Sequence, residues 1–243
     1  MKCFLTIAAS DNSGGAGVQR DLKVAHSLGY WGLSAITGIT IQDFTKLEKI
    51  YPLDATIVQQ QIRKNINSFA ITAVKIGAIC SDENIKIISS ILQTNKFPAV
   101  VLDPVFAPTH GPAFTDSIDL FRDKLLPYID IITPNKDELA LLVNEEITSF
   151  DQAIKCAQKI VNNFNCNVYL TGGHFKTDTI NESLITKNKV TLLQKERLKL
   201  TYSHGTGCAF SSALSCFLGN GDALNEACQK ASAYMAALLN KQG

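Results

Sequence analysis

Residues 4–29 read FLTIAASDNSGGAGVQRDLKVAHSLG, an apolar run followed by a glycine-rich turn and by an amphipathic segment that ends at Gly29. The run Phe4–Ala8 is short and apolar, which is typical of a buried β-strand. Beyond the turn, apolar side chains recur at helical spacing, at Val18, Leu22, Ala25 and Leu28. This spacing predicts a helix with one buried face. A strand, a tight turn and a helix in this order are the building unit of a parallel α/β sheet.

The same alternation continues along the chain. Further apolar runs that predict buried strands lie at Leu33–Ile41, Ala73–Ile76, Ala99–Leu102, Ile129–Thr133 and Val168–Thr171. One helical stripe between them covers Asp54–Phe69, and another follows the capping signature of Ser149 and Gln152. Two short runs, Ser183–Thr186 and Val190–Leu193, predict an antiparallel edge. We therefore predict a three-layer α/β/α fold, in which a mostly parallel central sheet carries helices on both faces.

The length and the net charge of the chain limit the number of domains and the classes of partner that we expect. The chain has 243 residues, 46% of them hydrophobic, and no linker or repeat divides it. This predicts a single domain over residues 1–243. The 23 basic residues nearly balance the 22 acidic ones, for a net charge of +1. Such a balance gives no overall electrostatic field that would attract nucleic acid or an anionic membrane. We therefore expect a small-molecule partner.

The cysteines indicate the compartment. There are seven, dispersed along the chain and without a Cys-x-x-Cys pair. This pattern fits neither a disulfide framework nor a zinc site, and it favours a reducing, cytoplasmic environment. No apolar stretch approaches the roughly 20 residues that a membrane-spanning helix needs, so no membrane partner is expected.

The chemistry of a parallel sheet is expected just beyond the carboxyl ends of its strands. The most informative segment is HGTGC, residues 204–208, which opens a helix of small and apolar residues. The first turn of a helix has unpaired N–H groups and a partial positive charge, and glycines let an anion approach closely. Cys208 on that turn can be a reactive thiolate. The alternative interpretation is a tight turn with a structural cysteine.

Two earlier segments also suggest binding. The turn SDNSGGAG, residues 10–17, resembles a nucleotide-binding turn, but Arg20 stands where a dinucleotide motif needs its last glycine. A turn that only allows close packing is the alternative. Gln42 ends an apolar strand, and its amide offers the donor and acceptor that suit the edge of a heterocycle. Alone, a glutamine at the end of a strand is more often a solvated or backbone-bonding residue.

Three further positions suggest metal and nucleotide binding. Asp103, together with Asn135 and Glu138, offers oxygen ligands for a hydrated magnesium ion. The alternatives are a turn initiator at Asp103 and a helix N-cap with a first-turn acid at the other two. The segment Thr171–His174 has two glycines at a strand end, where backbone can approach a nucleotide. Its histidine is equally compatible with a structural role.

In their order along the chain, these segments resemble the ribokinase superfamily, and within it the hydroxymethylpyrimidine/phosphomethylpyrimidine kinases of thiamine biosynthesis. The segments that carry the resemblance are residues 13–17 with 21–23, Gln42, 75–77, 103–105, 133–135 with Glu138, 172–174 and 204–208. The resemblance implies ATP-dependent phosphorylation of 4-amino-5-hydroxymethyl-2-methylpyrimidine, and leaves open whether its monophosphate is also a substrate.

The resemblance also implies roles for particular residues. The implied catalytic loop is Gly205, Thr206, Gly207 and Cys208, with Cys208 as the base that activates the substrate hydroxyl. The implied pyrimidine site consists of Ala9, Asp21, Gln42, Ala78 and Val105. The implied ATP-binding residues are Asn135, Thr171, Gly173 and His174. Asp103 and Glu138 are the implied Mg²⁺ ligands, and a homodimer is the family expectation.

The sequence departs from this family pattern in ways that keep other functions open. Thr109 and Thr171 stand where these kinases commonly have lysines, and Ala78 replaces a methionine of the pyrimidine pocket. The lost charges predict weaker ATP binding unless another lysine substitutes, the candidates being Lys75, Lys136 and Lys176. The alternatives are a pyridoxal kinase-like vitamin kinase and a pyrimidine-binding protein with weak catalysis.

Overall fold

A computed structural model of the protein describes residues 1–107, 111–172, 179–196 and 205–240. The strands of these residues are β1 (Cys3–Asp11), β2 (Trp31–Gln42), β3 (Leu47–Pro52), β4 (Ile71–Ile76), β5 (Val100–Leu102), β6 (Ile131–Ile132), β7 (Asn167–Leu170), β8 (Thr179–Ile185) and β9 (Val190–Glu196). The α-helices are α1 (Gly17–Ser27), α2 (Ala55–Ser68), α3 (Asp82–Thr94), α4 (Ile118–Leu125), α5 (Lys136–Val143), α6 (Phe150–Phe164), α7 (Thr206–Gly219) and α8 (Leu224–Asn240). None of these helices combines the length and apolar character needed to cross a membrane.

All nine strands form one sheet in the order β3-β2-β1-β4-β5-β6-β7-β8-β9. The six strands from β2 to β7 in this order are mutually parallel. β3 joins β2 antiparallel at one edge, and the β8–β9 hairpin forms an antiparallel border at the other. The predicted mostly parallel sheet and its antiparallel edge are therefore confirmed. Parallel strands bring their carboxyl ends to one side of the sheet, where a site can form.

Helices cover both faces of the sheet, as the three-layer prediction requires. Successive side chains of a strand point to opposite faces, and β1 shows this directly. Leu5 and Ile7 pack with α2, α3, α4, α5 and α6 in the largest apolar cluster. Phe4 packs on the opposite face with Ala25 of α1 and Cys216 of α7. α7 and α8 complete that second layer against β5, β6 and β7.

Local sequence signals predicted some of these elements better than others. The N-terminus of α6 is capped by Ser149, whose hydroxyl accepts the N–H of Gln152 at 3.2 Å, as predicted. The Gln152 side chain instead bonds the N–H of Thr148 at 3.0 Å, so the capping box is only half formed. β3 was not predicted because LEKIYP mixes charged and apolar residues, which an edge strand with solvent around it tolerates.

Candidate active site

The start of α7 rests directly on the glycine turn after β1. Gly205 caps this helix in the left-handed region, with φ of +77°. A Cβ at Gly205 would overlap the carbonyl oxygen of Gly15, so only glycine allows the two loops this close. The glycine turn and the start of α7, which lie far apart in sequence, thus pack directly against each other.

Side chains of the turn itself fix its shape. The carboxylate of Asp11 accepts the N–H of Ser13 at 2.8 Å and of Ala16 at 2.7 Å. Arg20 donates from Nε to the carbonyl oxygen of Gly15 at 2.9 Å. The residue that breaks the dinucleotide motif therefore has a defined role, which is to brace this turn. The role of Asp11 was not recognised in the sequence.

Beneath the turn lies a buried ionic cluster of Asp21, Lys75 and Asp103. The Lys75 ammonium lies 3.0 Å from both Asp21 oxygens and 3.8 Å from Oδ2 of Asp103. Burial alone would lower the pKa of Lys75, but the neighbouring carboxylates, Asp21 above all, raise it. The lysine therefore keeps its charge in the core.

Asp21 is completely buried, and its oxygens also accept hydrogen bonds from Thr6 at 2.6 Å and Ser212 at 2.9 Å. Asp21 thus has no surface open to a ligand. A contact with the pyrimidine, which the family resemblance implied for Asp21, requires such a surface. Lys75 is also without exposed surface, so it cannot reach a nucleotide in place of the absent lysines.

Asp103 and Glu138 form the candidate magnesium site. Asp103 accepts a hydrogen bond from the Ser211 hydroxyl at 3.3 Å, and burial raises its pKa while Lys75 opposes that shift. Burial also raises the pKa of Glu138 well above its usual value, and the Asp103 carboxylate adds to this. Two carboxylates that interact with each other offer the oxygen ligands that Mg²⁺ takes, and water and phosphate oxygens fill its remaining positions. In the described part of the chain, no group of three or more His, Cys, Asp or Glu side chains is arranged to hold a metal ion by itself.

Asn135 and Glu138 also have a local structural role. Oδ1 of Asn135 accepts the N–H groups of Asp137 and Glu138, at 2.8 and 3.0 Å. Oε2 of Glu138 accepts the N–H of Asn135 at 2.8 Å, which completes a capping box at the start of α5. The structure therefore confirms that Asn135 is an N-cap and that Glu138 is an acidic residue in the first turn of α5. It leaves Oε1 of Glu138 outside the capping box.

Cys208 lies partly exposed on the first turn of α7. Burial around the thiol raises its pKa to about 12; Lys75 acts to lower the pKa, whereas Asp103 and Asp21 raise it. An interaction with the backbone N–H of Gly17, the first residue of α1, also lowers this pKa. The raised pKa favours the neutral thiol over the expected thiolate, because desolvation and two carboxylates outweigh the effects of Lys75 and the Gly17 N–H on this pKa.

An apolar cluster contains three of the predicted substrate residues. Ala9 and Ala78 form one cluster with Val105 packed against it. The other buried members of that cluster, which sequence analysis did not identify, are Leu47, Cys80 and Phe114. Their signal was weak because single apolar residues in loops and edge strands show no periodicity.

Gln42 ends β2, the strand next to β1, and its backbone N–H donates to Oδ1 of Asn12 at 2.9 Å. Its side-chain amide makes no hydrogen bond to any residue that the structure describes, so it is open to a ligand.

Of the predicted ATP-binding residues, the structure describes Asn135 and Thr171. Thr171 follows β7, and its N–H and hydroxyl donate to the carbonyl oxygen of Pro134 at 3.0 and 3.3 Å. The hydroxyl is thus engaged with the loop before α5. Gly173, His174 and Thr109 lie outside the described residues.

This fold, with a glycine-capped helix start beside the buried carboxylate of Asp103 at the end of β5, places the protein among the ribokinase-like kinases of small molecules. Comparison with known families narrows this class. The chain belongs to the phosphomethylpyrimidine kinase family, whose family model matches residues 11–242.

Individual relatives agree with this family. The chain is 34% identical to a hydroxymethylpyrimidine/phosphomethylpyrimidine kinase of Haemophilus influenzae, over 99% of this chain and 91% of that protein. It is similar to the crystal structure of a phosphomethylpyrimidine kinase from Clostridium difficile 630, with 29% identity, a TM-score of 0.86 and coverage of 98% and 99%. It is also similar to a pyridoxal kinase of Staphylococcus aureus in complex with AMP-PCP and pyridoxal, with 28% identity, a TM-score of 0.87 and coverage of 98% and 88%.

Proposed function

We propose that this protein transfers the γ-phosphoryl group of ATP to the hydroxymethyl group of 4-amino-5-hydroxymethyl-2-methylpyrimidine, in the biosynthesis of thiamine. The observation that carries the proposal is the meeting of the α7 start with Asp103 and the glycine turn, next to the apolar cluster of Ala9, Ala78 and Val105. Membership of the phosphomethylpyrimidine kinase family supports the choice of substrate.

The start of α7 would stabilise the transferred phosphoryl group. The backbone N–H groups of Gly205, Thr206, Gly207 and Cys208 belong to the first turn, where no carbonyl of the helix can pair with them. Such donors stabilise charge that develops on phosphoryl oxygens without moving during the reaction. Asp103 and Glu138 would hold Mg²⁺, which neutralises phosphate charge when bound.

Cys208 would act on the substrate hydroxyl. In a loose phosphoryl-transfer transition state the attacking hydroxyl keeps its proton until late, so a resting thiolate is not required. We propose that Cys208 orients this hydroxyl and takes part in its late deprotonation, with the Lys75 ammonium opposing the rise of the thiol pKa. Replacing the thiol removes this contribution and leaves the backbone donors in place.

The pyrimidine would lie between this apolar cluster and the end of β2. Ala9, Ala78 and Val105 form an apolar cluster, and the amide of Gln42 offers a donor and an acceptor for the ring edge. We leave Asp21 out of this contact set because it is fully buried.

For ATP we propose Asn135, Thr171, Gly173 and His174 as binding residues, on the basis of their position after predicted strands and the family resemblance. Structural neighbours crystallised with ADP and with AMP-PCP support the use of ATP. With threonine at 109 and 171, we expect the backbone donors of α7 to carry a larger share of the phosphate charge.

A coupled assay of ATP consumption tests the function. Purified protein with Mg²⁺ and ATP is given the pyrimidine, its monophosphate or pyridoxal, and kcat/KM is compared. We expect the highest value with the pyrimidine. A higher value with pyridoxal would favour a pyridoxal kinase, as in the structural neighbour from Staphylococcus aureus. Tight binding of the pyrimidine without turnover would favour a binding protein.

The role of Cys208 is tested by Cys208→Ala, for which we expect kcat to fall about 100-fold or more, as for loss of a general base. Cys216→Ala is the matched control, because Cys216 lies in the same helix but is fully buried among apolar neighbours. Unchanged kcat in Cys208→Ala would exclude this role.

We further propose that residues 1–243 form a single kinase domain, that two copies form a homodimer, and that the protein works in the cytoplasm. The one continuous sheet supports the first proposal. The seven cysteines, all in the described part of the chain and all free of disulfides, support a reducing compartment.

A further inference from the structure

Asp21 joins its own helix, α1, to three other elements of the protein through one buried carboxylate. Thr6 of β1 donates to Oδ2 at 2.6 Å, and Ser212 of α7 donates to Oδ1 at 2.9 Å. Lys75 of β4 donates to both oxygens at 3.0 Å. Asp21 itself lies on α1, and all four side chains lack exposed surface. The carboxylate is therefore saturated by protein donors.

The surroundings are shaped to hold this cluster. A Cβ at Gly77 would come within 2.8 Å of the Lys75 ammonium, so the absence of a side chain there makes room for it. Lys75 also approaches Asp103 at 3.8 Å, and Ser211, the neighbour of Ser212, donates to Asp103 at 3.3 Å. Consecutive serines of α7 thus contact the two carboxylates that flank one ammonium.

α7 is the helix whose start carries the proposed phosphate donors. Ser212 lies six residues beyond Thr206, the first residue of the helix, which corresponds to about 9 Å along its axis. A helix is stiff over this length, so the height of Ser212 above the sheet sets the position of the first turn.

We propose that Asp21 is a positioning residue that acts through Ser212 to hold the start of α7 in register with the glycine turn, and that it does not touch the substrate. This inference rests on the proposed kinase function for its kinetic consequences. Phosphoryl transfer depends on positioning more than on covalent help from the protein, so a small shift of the helix start lowers the rate of transfer. Binding of the pyrimidine, which lies against other side chains, is unaffected.

Two serines of α7 provide a matched test. Ser212→Ala removes the bond to Asp21, whereas Ser215→Ala removes a bond of similar length, 3.0 Å, to the carbonyl oxygen of Val74. We expect kcat of Ser212→Ala to fall about ten-fold while KM for the pyrimidine stays within about two-fold. We expect both constants of Ser215→Ala to stay within about two-fold of the wild type, with a similar fall in melting temperature. Equal kcat values in the two variants would overturn the proposal.

Asp21→Asn separates positioning from direct contact. We expect it to lower kcat with little change in KM, whereas a substrate contact would raise KM for the pyrimidine. A rise in KM confined to Asp21→Asn would also overturn the proposal. Ser212→Ala, which is milder, keeps the test valid if Asp21→Asn does not fold.

Amide hydrogen exchange gives a readout that does not need turnover. Ser212→Ala is expected to speed exchange in residues 209–213 of the protein without ligands, and Ser215→Ala to do so much less. If the wild type has no activity on any tested substrate, the proposed function fails, while this exchange pattern still decides the positioning role. Unchanged exchange in Ser212→Ala would count against it.

Discussion

At the scale of the residue, Lys75 shows how a charge is kept in the core. It has no exposed surface, yet two carboxylates stand within 3.8 Å of its ammonium. A buried charge without a partner costs several kcal/mol, so each member of such a cluster depends on the others. Lysine in an otherwise apolar strand was noticed in the sequence only as a possible phosphate ligand.

We predict that Lys75→Met lowers the free energy of unfolding by about 3–5 kcal/mol, because it leaves Asp21 buried without its cation. Lys159→Met is the control, since Lys159 pairs with Glu145 at the surface. Such exposed pairs contribute at most about 1 kcal/mol. Urea denaturation of both variants measures the difference. Similar losses in the two variants would show that the buried cluster has no special stabilising role.

Glu138 illustrates a conflict between stability and function. Its pKa is raised in the folded protein, chiefly by burial and also by Asp103. The folded state therefore holds the proton more tightly than the unfolded state does. The stability that this provides is complete below the unfolded pKa and is lost as pH rises through the folded pKa.

We predict that Glu138→Gln raises the melting temperature of the ligand-free protein at pH 8 and has little effect near pH 4.5, because glutamine keeps the acceptor of the capping box without the buried charge. The same variant is expected to lose most Mg²⁺-dependent activity. Asp137→Asn, at the exposed neighbouring position of the same helix turn, is the control. Thermal melts across this pH range test the prediction, and a gain that does not grow with pH would contradict it.

At the scale of the element, α7 differs from an ordinary core helix. Ser211, Ser212 and Ser215 have no exposed surface, and each donates a hydrogen bond across to the sheet or to the ionic cluster. The apolar spacing of this helix predicted that it would be buried. The serines were not identified because their partners lie on other elements.

The helix also depends on the glycine at its start. We predict that Gly205→Ala lowers kcat about 100-fold, because a Cβ in the left-handed region would push the helix start away from the carbonyl of Gly15. Gly29→Ala is the control for backbone strain alone, since Gly29 has φ of +79° and nothing lies near its would-be Cβ. It is expected to lose only about 1–2 kcal/mol of stability and no activity. Steady-state kinetics and urea denaturation distinguish the two effects, and normal kcat in Gly205→Ala would contradict the role of this contact.

At the scale of the whole molecule, the two edges of the sheet differ in how many large apolar side chains they expose. Large apolar side chains are exposed on β2, β3 and the adjoining segments, namely Trp31, Ile39, Ile41, Phe44, Tyr51 and Ile57. Ile39 and Tyr51 face each other across the β2–β3 ladder. Among the described strands β3 has no partner on its outer side, and exposed apolar side chains beside such a strand edge are typical of a contact with another protein. A second copy of this chain is the occupant that we propose.

We predict that Ile39→Lys converts a dimer to a monomer, because it places a charge beside the exposed Tyr51 among these apolar side chains. Leu192→Lys is the control, since Leu192 is 65% exposed on β9 at the opposite edge. Light scattering during size-exclusion chromatography measures the mass of each variant. A monomeric wild type, or an Ile39→Lys variant that stays dimeric, would contradict the proposal.

Much of the architecture could be predicted because it follows from local patterns. Apolar runs bounded by turns located the six parallel strands, and the helical stripe after residue 17 located α1. β3 was missed because its residues Glu48 and Lys49 are exposed at the sheet edge. Strand Leu47–Pro52 exists only because β2 provides its hydrogen-bonding partner.

The sequence by itself determined the three-layer fold and the segments that carry the chemistry, because side-chain periodicity and glycine turns act over a few residues. Only the tertiary structure decided what those side chains do. It buried Asp21 against Lys75 and Ser212, and it raised rather than lowered the pKa of the Cys208 thiol. Hydrogen bonding and desolvation depend on neighbours that the fold brings from distant parts of the chain, and no local pattern contains them.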